Sequence, residues 1–200
     1  MAYSDFTLET AIAKLGLELR DRPGLFRDIP PRSPSDMLQG ILAENTPLAL
    51  ASNTEKARSE LIIAPILVEL RRQCDRQIAV FSGIDFTVDA SMGLSGICDF
   101  LISHSPELMV LRSPIAILVE AKKENLNAGL GQCLAEMFAA LLFNERHGNA
   151  HTTILGVVTS GTNWRFMTLT HRAIDLDLNE YYLSDVGKIL GILRSAVPSF

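Results

Sequence analysis

Three side chains in the middle of the chain stand where charge is costly. Asp99 lies in Gly96-Ile97-Cys98-Asp99-Phe100-Leu101-Ile102, and Glu120 and Lys122 lie in Ile117-Leu118-Val119-Glu120-Ala121-Lys122. Both stretches are apolar enough to be buried strands, which exclude charge unless it is paired or ligates a metal. Side chains alternate across a strand, so Glu120 and Lys122 share one face and Ala121 takes the other. If the two strands are neighbours, Asp99 and Glu120 converge on one oxygen-rich site. Such a site suits Mg2+ or Mn2+, ions that accept carboxylate, carbonyl and water ligands. A bound ion lowers the pKa of its water and neutralises charge developing on a phosphate. A lysine one step along the strand orients that water or stabilises the anionic transition state. The plain alternative is a same-face ion pair between Glu120 and Lys122, with Asp99 satisfied by a backbone N–H.

These residues need strands to carry them and helices to cover the strands. Ile84, Phe86 and Val88 alternate with Asp85, Thr87 and Asp89, the pattern of a half-exposed strand. Ala90-Ser91-Met92-Gly93 supplies a turn, and residues 94–103 read as a second strand. Residues 115–122 read as a central strand buried on both faces. A helix is expected from the cap Asn125 to His147, stopped at Gly148, with Leu130, Leu134, Met137, Phe138, Leu141 and Leu142 as its sheet-facing stripe. Residues 152–159 and 164–170 form two further strands around Ser160-Gly161-Thr162-Asn163, with Trp164 as a packing residue.

Upstream, a small amphipathic helix precedes residues 21–36, which hold Pro23, Pro30, Pro31 and Pro34, four of the nine prolines, and read as an extended loop. A helix is expected over 36–44. Another runs from the N-cap Asn53 to about Cys74, kinked or interrupted at Pro65. A last helix starts at the N-cap Ser184. The order predicts an α/β (α+β) domain with a mixed central sheet flanked by helices. It divides into a helical extension (1–52), a core (53–172) and a C-terminal helix (173–200).

Two hundred residues at 48% hydrophobic content suit one domain with a substantial core. No run of about 18 apolar residues is evident, so no membrane span is expected. The first residues lack the basic start and apolar run of a signal peptide. The three cysteines, Cys74, Cys98 and Cys133, are scattered and show no C-x-x-C spacing. They argue against a disulfide framework or zinc ribbon and for a reducing compartment, hence the cytoplasm. The net charge of −5 lends nucleic acid no support. Lys56, Arg58, Arg71, Arg72 and Arg76 are offset by Glu55, Glu60, Glu69 and Asp75. Asp85 and Asp89 are rival acids, but they occupy the solvent phase of their strand. His147 and His151 are separated by the helix stop Gly148, and no H-E-x-x-H, G-x-S-x-G or Walker pattern occurs.

Asp99 on one strand followed by Glu120-Ala121-Lys122 on the next resembles the PD-(D/E)XK nuclease superfamily. The resemblance spans residues 55–170, with Cys98 where the first motif has proline. It implies a restriction-endonuclease-like core and Mg2+- or Mn2+-dependent hydrolysis of phosphodiester bonds in DNA. Asp99 and Glu120 would ligate the metal, with the Ala121 carbonyl as a further ligand, and Lys122 would assist the water. Glu60, in Ser59-Glu60-Leu61-Ile62, matches the glutamate on the preceding helix, and Gln132 matches the glutamine on the following one. Glu136, one turn beyond Gln132, is given no role. For members that cut both strands the family implies a homodimer pairing two sites. The alternative is a protein that keeps the fold for binding or regulation with little or no catalysis.

Overall fold

A computed structural model describes residues 1–149 and 152–197. It contains an eight-stranded mixed sheet flanked by helices, an α/β fold. In chain order the main elements are α1 (Leu8–Leu15), β1 (Glu18–Asp21), α2 (Asp36–Ser52) and α3 (Glu55–Arg58). A π-helical turn (Ser59–Ile63) leads into α4 (Ala64–Gln73), then β2 (Ala79–Asp85), β3 (Ile97–Ser103) and β4 (Ile115–Ala121). The long α5 (Leu126–Arg146) precedes β5 (Thr153–Thr159), β6 (Asn163–Thr170), β7 (Ala173–Leu176), β8 (Tyr181–Tyr182) and α6 (Val186–Ser195).

The sheet order is β1-β7-β6-β5-β4-β3-β2, with β8 on β6. The pairs β1–β7 and β4–β5 are parallel and the others antiparallel. All seven residues of β4 are buried, as its unbroken apolar run predicts. One face of the sheet packs on α5 and α1 through Leu101, Leu118, Ile154, Val158 and Leu169. The other packs on α4 and α6 through Phe100, Ile117, Val119, Val157 and Phe166.

Helix α5 follows its predicted limits, with Asn125 as N-cap and His147 as C-cap. Leu130, Leu134, Met137, Phe138 and Leu141 are buried and Leu142 is half-buried. Burial extends beyond that stripe because the N-terminal segment covers the helix from outside. A Cβ at Gly131 would lie 2.2 Å from the Thr7 carbonyl carbon, so only glycine admits this backbone contact. By length and composition α5 is also apolar enough to cross a membrane, which corrects the expectation that no segment qualifies. Within the fold, 72% of its apolar window is buried, as in the core helix of a packed sheet domain.

Several boundaries differ from expectation for identifiable reasons. Helix α2 runs past residue 44 to Ser52 and carries Pro47 within it. Asn53 is its left-handed C-cap (φ 49°), and Thr54 instead caps α3 by accepting from the Ala57 N–H at 3.1 Å. Pro65 does not end the helical segment, because the π turn before it absorbs the missing donor. The Leu61 carbonyl, the partner an N–H at 65 would have had, accepts from Asn45 Nδ2 at 3.1 Å. Strand β2 ends at Asp85. Residues 86–88 continue only as irregular pairing, with Phe86 N–H to Gly96 O at 2.9 Å and Val88 N–H to Leu94 O at 3.0 Å. Strand β3 starts at Ile97, and α6 is capped by Asp185, not Ser184.

Segment 1–52 contributes β1 to the sheet edge as well as helices, and segment 173–197 contributes β7 and β8 before α6. The proline-rich loop is tightly held. Asp177 accepts from the Gly24 N–H (2.9 Å) and Phe26 N–H (3.4 Å), and Lys188 Nζ donates to the Phe26 (2.7 Å) and Arg27 (2.9 Å) carbonyls.

Candidate functional site

The site forms where β3 and β4 part. Their ladder runs through Phe100 opposite Val119, and continuing that register sets Asp99 across from Glu120. Here the Ala121 N–H donates to Asp99 Oδ2 at 2.8 Å. Across β4, the Lys122 N–H donates to the Thr159 carbonyl of β5 at 2.8 Å, which fixes the backbone on which Lys122 is carried.

Asp99 and Ala121 line a cleft of about 220 Å³ together with Glu55, Lys56, Ser59, Glu60, Ser82 and Gly83. Glu60 thus reaches the cleft, carried there by the π turn, and pairs with Lys56 at 3.0 Å on its exposed side. Arg58 anchors this wall by donating to the Ser160 carbonyl at 3.1 Å. Glu120 and Lys122 turn toward α5. Glu120 is 1% exposed and its Oε1 contacts Lys122 Nζ, while its Oε2 has no hydrogen-bond partner. Lys122 Nζ also approaches Gln132 Oε1 at 3.5 Å, and Gln132 Nε2 donates to Glu136 Oε1 at 3.1 Å. Glu136 is wholly buried, again with a partnerless Oε2.

Burial, with the nearby Asp99 charge, pushes the Glu120 carboxyl up to about 8 against the opposing pull of Lys122. Burial and the Glu120 charge hold Glu136 well above the usual carboxylate range. For Lys122, burial favours the neutral amine, but the hydrogen bond and charge of Glu120, with the charges of Glu55 and Asp99, outweigh it and raise the ammonium. Three carboxylates, Glu120, Asp99 and the exposed Glu55, thus act on one lysine.

Asp99, Glu120, Ala121, Lys122, Glu60 and Gln132 therefore all fall at or beside the parting strands. Asp99, Ala121 and Glu60 line the cleft, and Glu120 and Lys122 turn toward Gln132 on α5, with the Asp99 charge still acting on Glu120. Both plain contacts anticipated from sequence are present, the Glu120–Lys122 pair and the backbone N–H on Asp99. Among the described residues no group of three or more His, Cys, Asp or Glu side chains is placed to hold a metal ion. A cation here would have to rely on the two carboxylates, a carbonyl and water.

Glu55 was read in the sequence only as an acid offsetting its basic neighbours, yet its charge reaches both Glu120 and Lys122. Gly129 is an unread position. A Cβ there would lie 2.7 Å from Val158 Cγ1 and 3.1 Å from Lys122 Cγ and Cε, so its absence makes room for the lysine stem. The rival acids have local duties: Asp85 accepts from Thr87 Oγ1 at 3.0 Å, and Asp89 caps the turn Ala90–Met92 and pairs with Arg146 at 3.2 Å. His147 packs on Phe143, and His151 lies outside the described residues. Trp164 is fully buried, its Nε1 donating to the Gly161 carbonyl at 2.9 Å. The chain matches no family model, no curated protein and no solved structure.

Proposed function

We propose that the chain is a divalent-metal-dependent nuclease of the PD-(D/E)XK kind that hydrolyses phosphodiester bonds in DNA. The observation that carries the reading is the Glu120 carboxylate. It is buried, repelled by Asp99 and left with a partnerless oxygen at the point where two strands part. A fold has no stability reason to keep such a group, and a cation would relieve it. The oxygens present fit Mg2+, which is commonly bound through one or two carboxylates with waters completing the shell. Asp99 and Glu120, with the Ala121 carbonyl, would hold it. When bound, the ion supplies a water of lowered pKa and positive charge opposite the phosphate. Lys122 holds a proton at Nζ, orients the nucleophile and balances charge on the phosphoryl oxygens. Gln132 steadies Lys122, and Glu55 and Glu60 set the negative rim of the cleft.

That rim favours a second reading, a binding or regulatory protein with little catalysis. Glu55, Glu60 and Asp99 face the cleft and Lys56 is tied to Glu60, a poor surface for a phosphate backbone. Metal titration by calorimetry, paired with a plasmid-nicking assay in Mg2+ and Mn2+, decides between them. The nuclease reading expects cleavage that Lys122→Ala reduces by about 10²–10³-fold with metal binding retained. Absence of metal binding at millimolar concentration overturns it. Metal binding without cleavage of DNA or RNA leaves the regulatory reading.

A further inference from the structure

Behind Lys122 partly buried contacts form a chain, Glu136–Gln132–Lys122–Glu120. Its logic lies in the amide. An ammonium only donates, so Lys122 needs the carbonyl end of Gln132, and the amide is set only if its other end is held as well. Glu136 Oε1 accepts from Gln132 Nε2 whether or not the carboxyl is ionised, and so turns Oε1 of Gln132 toward the lysine. Fold stability does not account for Glu136, since a wholly buried carboxyl with a partnerless oxygen disfavours the folded state.

We propose that Glu136 is a positioning residue: through Gln132 it keeps the Lys122 ammonium in place when the Glu120 carboxylate is engaged by a cation. This rests on the nuclease reading of the site. Lys122 has two acceptors in the structure, and Glu120 is the one a cation would draw upon. The anchored amide is the acceptor that remains. Without it the ammonium turns to solvent, toward which the side chain is already 23% exposed.

Removing Glu120 imitates its engagement without any metal. Lysine-selective 1H–15N spectra, which register ammonium groups held by hydrogen bonds, are to be compared for Glu120→Ala alone and combined with Glu136→Met or Glu136→Gln. Circular dichroism confirms folding, and the same comparison at saturating Mg2+ in the Glu120 background serves as a second measurement. The Lys122 signal is expected to persist in Glu120→Ala, to disappear with Glu136→Met and to return with Glu136→Gln, which still offers an acceptor. In single variants, Glu136→Met is expected to lower kcat by about 10-fold with KM unchanged and no loss in Tm, and Glu136→Gln to restore it. A Lys122 signal that survives Glu136→Met overturns the proposal whether or not the wild type cuts DNA. The expected spectra from an inactive wild type uphold the positioning and remove the nuclease reading.

Discussion

Two pairs of buried carboxylates in this molecule live under opposite conditions. Asp177 accepts from the Gly24, Phe26 and Asn179 N–H groups and from Tyr181 Oη, at 2.8–3.4 Å. Glu69 accepts from the Ser35 N–H and Oγ, Gln73 Nε2 and Arg72 Nη1 at 2.9–3.2 Å. Burial pushes Glu69 up, but the Ser35 and Gln73 hydrogen bonds and the Arg72 charge outweigh it and leave the carboxyl lowered. Glu120 and Glu136 each have one hydrogen-bond partner and one partnerless oxygen, and both are raised. Burial is common to all four, so donor supply makes the difference. Carboxylates that hold the loop and helix together are saturated; those at the parting strands are kept short of donors, the condition in which a ligand gains most by arriving.

The comparison can be broken most sharply at Asp177. Asp177→Ala strands several buried donors, and urea denaturation is expected to show a loss of about 3–5 kcal/mol. At Glu120 the folded value lies above the unfolded one, so the folded chain binds more protons between pH 4.5 and 8. Its stabilising contribution is complete below pH 4.5 and is lost as pH rises through 8. The metal-free protein should therefore weaken across that window, by at most about 1.4 kcal/mol per pH unit from this group. Glu120→Gln should flatten that slope, and an unchanged slope would remove Glu120 as its source. Mg2+ at about 100 times its dissociation constant should return roughly 2.7 kcal/mol at pH 8 to the wild type and far less to Glu120→Gln, measured as a shift in Tm. Glu69→Gln is expected to cost about 1–3 kcal/mol, because its shape survives but one of its two accepting oxygens becomes an NH2 turned toward donors.

The sequence disclosed the parts of this fold with strong periodicity or strong contradiction. Strand β4 and helix α5 were legible because apolar runs of that length have few alternatives, and Asp99 and Glu120 because charge in such a run is conspicuous. Strands β1 and β7, four residues each, were not, since Glu18–Asp21 is largely exposed and gains its pairing from residues far along the chain. Asn53 was misjudged because the same side chain suits an N-cap and a left-handed C-cap. Glu55 was hidden by its ordinary setting.

The parallel pairing of β1 with β7 sets a timetable for the nascent chain. Gly24 and its clamp Asp177 are 153 residues apart. At a ribosomal pace of about 5–20 residues per second, the first edge strand and the proline-rich loop wait roughly 8–30 s for their partners to be made. Leu17 and Phe26, buried in the finished fold, are uncovered for that interval. The N-terminal quarter is therefore the part of this molecule that waits longest for its partners during synthesis, and β1 cannot pair until β7 has been made.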